Sequence, residues 1–279
     1  MRIYKTNKGI IIDREGHLFL LTERGWDSFI NRQNLFKQIT NDLNDVRPDN
    51  SLAQVIKGDC LAPIGNQEVW AAGVTYIRSR QARMEESKDA GGGDFYAKVY
   101  EAKRPELFFK APAHRVVGHG EQVRIRKDSK WNVPEPELTL FVCSQGTIEG
   151  YTIGNDMSSR DIEGENPLYL PQAKSYDASA ALGPCLYVAD SPINADAMIQ
   201  LQIERHNQQV FSGEIAINRM KRKHTELAEY LFRETSFPFG VYLMTGTGIV
   251  PPDHFTLQVN DQIKISIEGI GTLVNTVSQ

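Results

Sequence analysis

Residues 131–184 read WNVPEPELTLFVCSQGTIEGYTIGNDMSSRDIEGENPLYLPQAKSYDASAALGP, a stretch that joins strand-like apolar runs to a set of acids and a lysine. Glu135 and Glu137 stand at alternate positions just before the apolar run Leu138–Val142. Alternate positions of a strand face the same side, and two carboxylates held there repel unless something positive lies between them. Downstream come Asp156, in the turn-like segment Gly154-Asn155-Asp156, and then Lys174. Three carboxylates converging with one lysine would suit a hard divalent cation with oxygen ligands, such as magnesium. The same spacing also fits a polar strand edge followed by a surface loop, because alternate acids are common on exposed strands.

Composition narrows the function classes. A chain of 279 residues can bury a sizeable core as one large domain or as a small and a large one. Hydrophobic residues at 41% and charged residues at 24% are ordinary for a soluble globular protein. A formal net charge of -4 gives no reason to expect nucleic acid or an anionic membrane as a partner. The sequence contains no long apolar run of the kind a transmembrane helix needs. Its first residues, MRIYKTNKGIIIDREGHLFLL, lack the order of a signal peptide, so the protein reads as cytoplasmic. Cys60, Cys143 and Cys185 are scattered without a CxxC pair, and the six histidines show no HxH or HExxH spacing. A disulfide framework and a zinc site are therefore disfavoured.

Along the chain, residues 8–21 read as a hairpin turning at Arg14-Glu15-Gly16. Helices are expected at Trp26–Ile30 and Asn34–Leu43, and a brief strand at Leu52–Ile56. This block, residues 1–66, reads as a small α+β domain, with a second domain over 67–279. There, a strand over Trp70–Val74 leads to a polar helix around Arg78–Glu86 and a flexible-looking Asp89–Asp94, an order that could build a lid over a site. Short punctuated strands then dominate: Leu107–Lys110, Val123–Arg126, Leu138–Val142, Tyr151–Ile153, Cys185–Val188, Ile199–Ile203, Val210–Phe211, Val241–Met244, Phe255–Val259, Ile263–Ile267 and Thr272–Val277. Leu227–Phe232 reads as a helix capped by Thr225. The expected class is α+β, mainly β, with a sandwich or barrel-like larger domain.

EPE (Glu135–Glu137), GYTIGNDMSSRD (Gly150–Asp161), AKSYDASAALGP (Ala173–Pro184) and TGTGIVPP (Thr245–Pro252) resemble the fumarylacetoacetate hydrolase superfamily. The likeness runs from about residue 69 to the end and implies that family's mixed β-roll catalytic domain, working as a homodimer or homotetramer. It implies a site for magnesium, or manganese or calcium in its place, held by Glu135, Glu137 and Asp156. It makes Lys174 the active-site lysine and places Thr247 in a loop that contacts the substrate's oxygens.

One departure separates the possible chemistries. The family's carbon–carbon hydrolases carry a His and a Glu three residues apart on the lid helix, which activate water; here Ser79 and Ala82 stand at those positions. Neither side chain is a base near neutral pH. GVTYIRSRQAR (Gly73–Arg83), KRPELFFKA (Lys103–Ala111) and SRDIEGENPLYLPQAK (Ser159–Lys174) resemble the superfamily's 2-keto-3-deoxy sugar-acid dehydratases. That likeness implies dehydration of a 2-keto-3-deoxypentonate to 2,5-dioxopentanoate and places Glu106 at the dehydratases' acid/base position. A lysine beside a cation can act as a base, so Lys174 or Glu106 is the candidate for the proton transfers, and Arg78 and Ser79 on the lid are the candidates to hold the substrate's oxygens. Two other readings stay open: hydrolysis of an acylpyruvate or diketo acid with water activated by Glu85 or Glu86, and a binding protein that keeps the metal site without turnover. Arg160 and Asp161 are expected to form a structural ion pair, and Glu163 stands where the family often has glutamine.

Overall fold

The computed structural model of the chain describes residues 1–22, 24–86 and 93–279, with the side chains of Glu86 and of 93–96 left aside. Alternating apolar residues at the N-terminus build three antiparallel strands, β1 (Arg2–Thr6), β2 (Gly9–Arg14) and β3 (His17–Leu21). The expected hairpin is β2–β3; its two turn residues, Glu15 and Gly16, both take positive φ, 55° and 84°, as a tight two-residue turn requires. Helices α1 (Trp26–Ile30) and α2 (Leu35–Asp42) form where the spacing puts them. Residues 52–56 do not form the expected strand: they enter helix α3 (Ala53–Asp59) after a short turn capped by the Asp49 carboxylate on Ser51 N, 2.9 Å. Leu52, Val55 and Ile56 are spaced i, i+3 and i+4, and that helical stripe packs on Ile11 and Leu18 of the hairpin. Tertiary burial overrides the β-branched propensity there.

The next elements are β4 (Glu68–Gly73), α4 (Ile77–Glu86), α5 (Gly93–Glu101), β5 (Glu106–Pro112), β6 (Pro136–Val142) and β7 (Ile148–Asp156). They are followed by α6 (Arg160–Glu165), α7 (Leu170–Lys174), β8 (Ala180–Tyr187), β9 (Met198–Arg205) and β10 (Gln208–Ala216). The chain closes with α8 (His224–Leu231), β11 (Val241–Met244), β12 (Gln262–Ile267) and β13 (Gly271–Ser278). The larger sheet runs β3-β2-β1-β8-β7-β6-β11-β4-β5, so strands from both sides of residue 66 share it. A five-stranded sheet runs β10-β9-β12-β13 and ends on Gln122–Arg124. Most pairs are antiparallel, but β11 runs parallel to β4 and β13 parallel to Gln122–Arg124, which makes both sheets mixed.

Strand β6 lies at the centre and is buried along its whole length. Leu138, Leu140 and Val142 join the core shared with Leu201, Ile203 and Ile265 of the smaller sheet. Phe141 points the other way, into a core shared with Ile3, Phe29 and Leu35. A strand covered on both faces reads as a continuous apolar run. Its acids, Glu135 and Glu137, come at the end where that run begins.

Two further expectations change, and a third falls mostly outside the described residues. Residues 255–259 are not a strand, because Pro251 and Pro252 lead into a turn closed by Phe255 N on Pro252 O, 2.8 Å. Thr225 lies inside α8, which starts one residue earlier after Lys223. Of the segment Asp89–Asp94, residues 89–92 lie outside the described residues, and Gly93 already opens α5.

Candidate active site

Strand register brings the acids together. Pairing of β6 with β7 sets Glu137 against Gly154 and Pro136 against Asn155, and Asp156 N donates to Glu135 O at 3.0 Å. Asp156 is thus the last residue of a buried strand rather than part of a turn. Glu135, Glu137 and Asp156 are all buried, and one carboxylate oxygen from each lies within 4.8 Å of the others. Such crowding has a cost: burial first, then the Asp156 and Glu135 charges, push the Glu137 carboxyl well above the ordinary glutamate range. Burial alone would also raise Asp156, but Lys110 and Lys174 outweigh it and hold that carboxyl below the usual value.

Two buried lysines flank Asp156. Lys174, at the end of α7 and fully buried, donates from Nζ to Glu135 Oε2 and Asp156 Oδ2, both at 2.8 Å, and to Ser158 Oγ at 2.5 Å. Glu163 Oε1 is 3.4 Å from the same nitrogen. Lys110, on β5 and equally buried, places Nζ 2.6 Å from Asp156 Oδ1 and donates to Met157 O at 2.9 Å and to Lys174 O. Burial, offset in part by Asp156, lowers the Lys110 ammonium to about 8. Glu135 and Asp156 therefore each meet at least two cationic side chains, and the ammonium of Lys174 stands on one oxygen of each. A buried, oxygen-only donor set whose central glutamate is driven up by its neighbours fits a hard divalent cation.

The arginines add a second layer. Arg160 Nη2 donates to Glu135 Oε1 at 2.8 Å, whereas Asp161 accepts from Ser129 Oγ at 2.5 Å and Lys130 N at 2.7 Å. The expected Arg160–Asp161 pair gives way to these two separate networks, because neighbouring residues at the start of α6 project in different directions. Arg83, on α4, lies 3.5 Å from Glu135 Oε1 and pairs with buried Glu163. Helix α4 is thereby tied to α6 over the acids.

Glu106 opens β5 half-buried beside Gly73. Burial raises its carboxyl above the ordinary value, with Arg83 and Lys174 pulling it partly back and Glu135 pushing it further up. Those influences place it electrostatically in the same group as Lys174 and the acids. Thr247 is buried, and its Oγ1 accepts from Ile249 N at 3.2 Å. The preceding Gly246, at φ 94°, donates its N–H to Glu137 Oε2 at 2.6 Å. A Cβ on Gly246 would meet Thr75 Oγ1 at 2.1 Å, so only glycine lets this loop approach so closely. Ser79 is buried, and its Oγ both donates to Tyr76 O at 2.8 Å and accepts from Tyr76 N at 3.2 Å. Its hydroxyl closes the first turn of α4 in this state. Arg78 is half-buried on the same helix and is felt by Arg160. Glu85 is exposed, and the side chain of Glu86 is outside the described residues.

Lys110 and Arg83 are the site residues that spacing did not single out. A signal for Lys110 was present: a lysine inside the apolar run Leu107–Ala111, at the same strand parity as Glu106. Arg83 carries no such signal, since polar helix α4 offers several arginines at once.

Residues 69–278 match the family model described as fumarylacetoacetate (FAA) hydrolase C-terminal. The chain belongs to the fumarylacetoacetate hydrolase family. A Haloferax volcanii protein named probable 2-keto-3-deoxyxylonate dehydratase is 46% identical over 217 residues, 77% of this chain and 74% of that protein. A Saccharolobus solfataricus protein named 2-dehydro-3-deoxy-D-arabinonate dehydratase is 44% identical over 219 residues, 78% of this chain and 74% of its own length. Among solved structures, an apo 2-keto-3-deoxy-D-arabinonate dehydratase superposes with a TM-score of 0.83 at 35% identity, covering 100% of this chain and 99% of that one. The same enzyme complexed with magnesium and 2,5-dioxopentanoate superposes with a TM-score of 0.82 at 35% identity, over 100% and 99% of the two chains. The family domain and its mixed, mainly β architecture are those the motifs implied.

Proposed function

We propose that this protein is a divalent-cation-dependent dehydratase that removes water from a 2-keto-3-deoxypentonate and yields 2,5-dioxopentanoate. The observation that carries this reading is the division of labour around the acids. Glu106 and Lys174 border the buried carboxylates, while the lid helix presents Ser79, closed on its own backbone, and buried Ala82 where the hydrolases keep their water-activating pair. The names of the two relatives and of the magnesium- and product-bound neighbour support the same choice.

Glu135, Glu137 and Asp156 would hold the cation, which when bound supplies a Lewis acid to the keto and carboxylate oxygens of a 2-keto acid. The chain's own groups must then move protons. A proton leaves carbon 3, and the hydroxyl at carbon 4 leaves as water after taking a proton. The remaining unsaturated hydroxy acid tautomerises to the aldehyde. Glu106 and Lys174 share these transfers. The raised proton affinity of Glu106 suits delivery to the departing hydroxyl, because a general acid works best when its pKa approaches the working pH. Arg78, Ser79 and Thr247 are the proposed contacts for the substrate's oxygens. Burial of the three acids and of Lys174 strengthens each charge interaction among them relative to water.

A cytoplasmic homodimer or homotetramer acting in sugar-acid catabolism is the setting we propose, and light scattering of the purified protein measures its assembly. The chemistry is tested by supplying a 2-keto-3-deoxypentonate with magnesium and following aldehyde formation. Aldehyde release that stops when the cation is chelated supports the proposal. Pyruvate release from an acylpyruvate, with no aldehyde from the sugar acid, overturns it.

A further inference from the structure

Each of the three acids has one oxygen in close contact with a protein group other than Lys174. Glu137 Oε2 accepts the Gly246 N–H at 2.6 Å, Glu135 Oε1 accepts from Arg160 at 2.8 Å, and Asp156 Oδ1 lies 2.6 Å from Lys110 Nζ. The second oxygens of Glu135 and Asp156 are the two that Lys174 Nζ occupies. The Gly246 donor is backbone, and Arg160 is held in a buried helix start. Lys110 is the cap whose removal can be isolated.

Lys110 is also a cap that cannot swing away. Its side chain is fully buried, and an ammonium has three donors. Met157 O and Lys174 O accept two of them, and Asp156 Oδ1 lies 2.6 Å from the same nitrogen as an ion-pair partner. Leaving any of them would strand a buried polar group without its partner. Strand β5 sets this geometry through an irregularity in its pairing with β4, where Val69 faces Ala111 and Trp70 faces Phe109, leaving Lys110 without an opposite residue. The ring of Phe108 in turn lies 5.8 Å from Lys174 Nζ.

We propose that Lys110 is a positioning residue that restricts Asp156 to coordination through a single oxygen, and that this cap selects a small cation such as magnesium over calcium. The inference rests on the reading that the triad holds a divalent cation. The chemistry follows from ion size. Magnesium demands near-ideal six-fold geometry at about 2.0–2.1 Å, whereas calcium accepts six to eight oxygens at about 2.3–2.6 Å and often takes both oxygens of one carboxylate. A carboxylate with one oxygen permanently engaged serves the first ion without loss and denies the second its extra ligand.

The test measures ion binding rather than turnover. Manganese binding to the wild-type protein and to Lys110→Met is followed by electron paramagnetic resonance, with magnesium and calcium as competitors. Both competitors carry the same charge, so the lost ammonium shifts both affinities alike and cancels in their ratio. The expected result is a fall of about tenfold or more in the magnesium-to-calcium preference of the variant, equivalent to about 1.4 kcal/mol. An unchanged ratio with intact manganese binding overturns the role of Lys110 and leaves the dehydratase reading standing. Absence of any manganese binding by the wild-type protein overturns the metal reading itself, and this inference with it. If Lys110→Met does not fold, infrared spectra of wild-type protein carrying carbon-13-labelled aspartate carboxyls decide. A labelled, calcium-dependent band for a carboxylate bound through both oxygens refutes the cap, and its absence supports it.

Discussion

Replacing Gly73 with alanine tests whether the position of Glu106 sets the rate. The added Cβ would lie 2.0 Å from Glu106 Oε2 and 2.5 Å from its Cδ. Ordinary contact begins at 3.4 Å, so the carboxylate must retreat by about 1.4 Å. The obstructing atoms belong to the far end of a flexible side chain, which can turn aside at little cost to the fold. Gly73 lies in β4, where glycine is if anything less favourable than alanine by about 0.5–1 kcal/mol. Stability should therefore hold or rise slightly. A misplacement of about 1 Å in a reacting group can cost about a hundredfold in rate, or about 2.7 kcal/mol of transition-state stabilisation. Gly73→Ala should lower kcat for aldehyde formation by about that factor while leaving the melting temperature and manganese affinity within error of wild type. The assay is aldehyde release at saturating substrate and magnesium, run beside a thermal melt and a metal titration. Wild-type kcat in a folded Gly73→Ala protein would show that Glu106 does not need its observed position, and the proton-transfer role would fall.

Further expectations follow from other parts of the molecule. Glu135→Gln removes a charge that Lys174 and Arg160 both face, and should abolish cation-dependent aldehyde formation and weaken manganese binding at least about tenfold by resonance titration. Full activity in that variant would refute Glu135 as a ligand. Burial lowers the pKa of His224 below its ordinary 6.5, and its Nε2 has no hydrogen-bond partner among the described residues. The folded state thus binds fewer protons than the unfolded state below pH 6.5, so stability is full above that value and declines as pH falls toward the lowered pKa. Denaturant titrations across that range should give a shallower slope for His224→Gln, and an identical slope would refute the assignment. Leu140→Ala empties a fully buried position in the central strand and should cost about 2–5 kcal/mol, read as a lower denaturant midpoint.

Much of this protein was legible from its sequence, for definable reasons. The alternation of Glu135 and Glu137, the apolar run behind them, and the order of Asp156 and Lys174 are local or ordered features that motifs preserve. The hairpin, α1, α2 and the β11 strand follow from short-range periodicity. Leu52–Ile56 reads as a strand because its β-branched residues favour one in isolation, but the hairpin face beneath them rewards a helical stripe. Sequence adjacency says nothing about direction, so Arg160 and Asp161 turn to different partners instead of pairing with each other.

What only the tertiary structure decided is how the charges are shared. Lys110 reaches Asp156 across 46 positions, and Arg160 reaches Glu135 across 25. Those contacts depend on the register of β6 with β7 and on how β5 packs against α7. A lysine in a sequence carries no mark of its burial, and lysine is ordinarily a surface residue. Only folding encloses Lys110 completely and fixes its ammonium among Asp156, Met157 O and Lys174 O. The sequence by itself determined which acids could gather around a cation; the packing decided which of their oxygens remain free to do so.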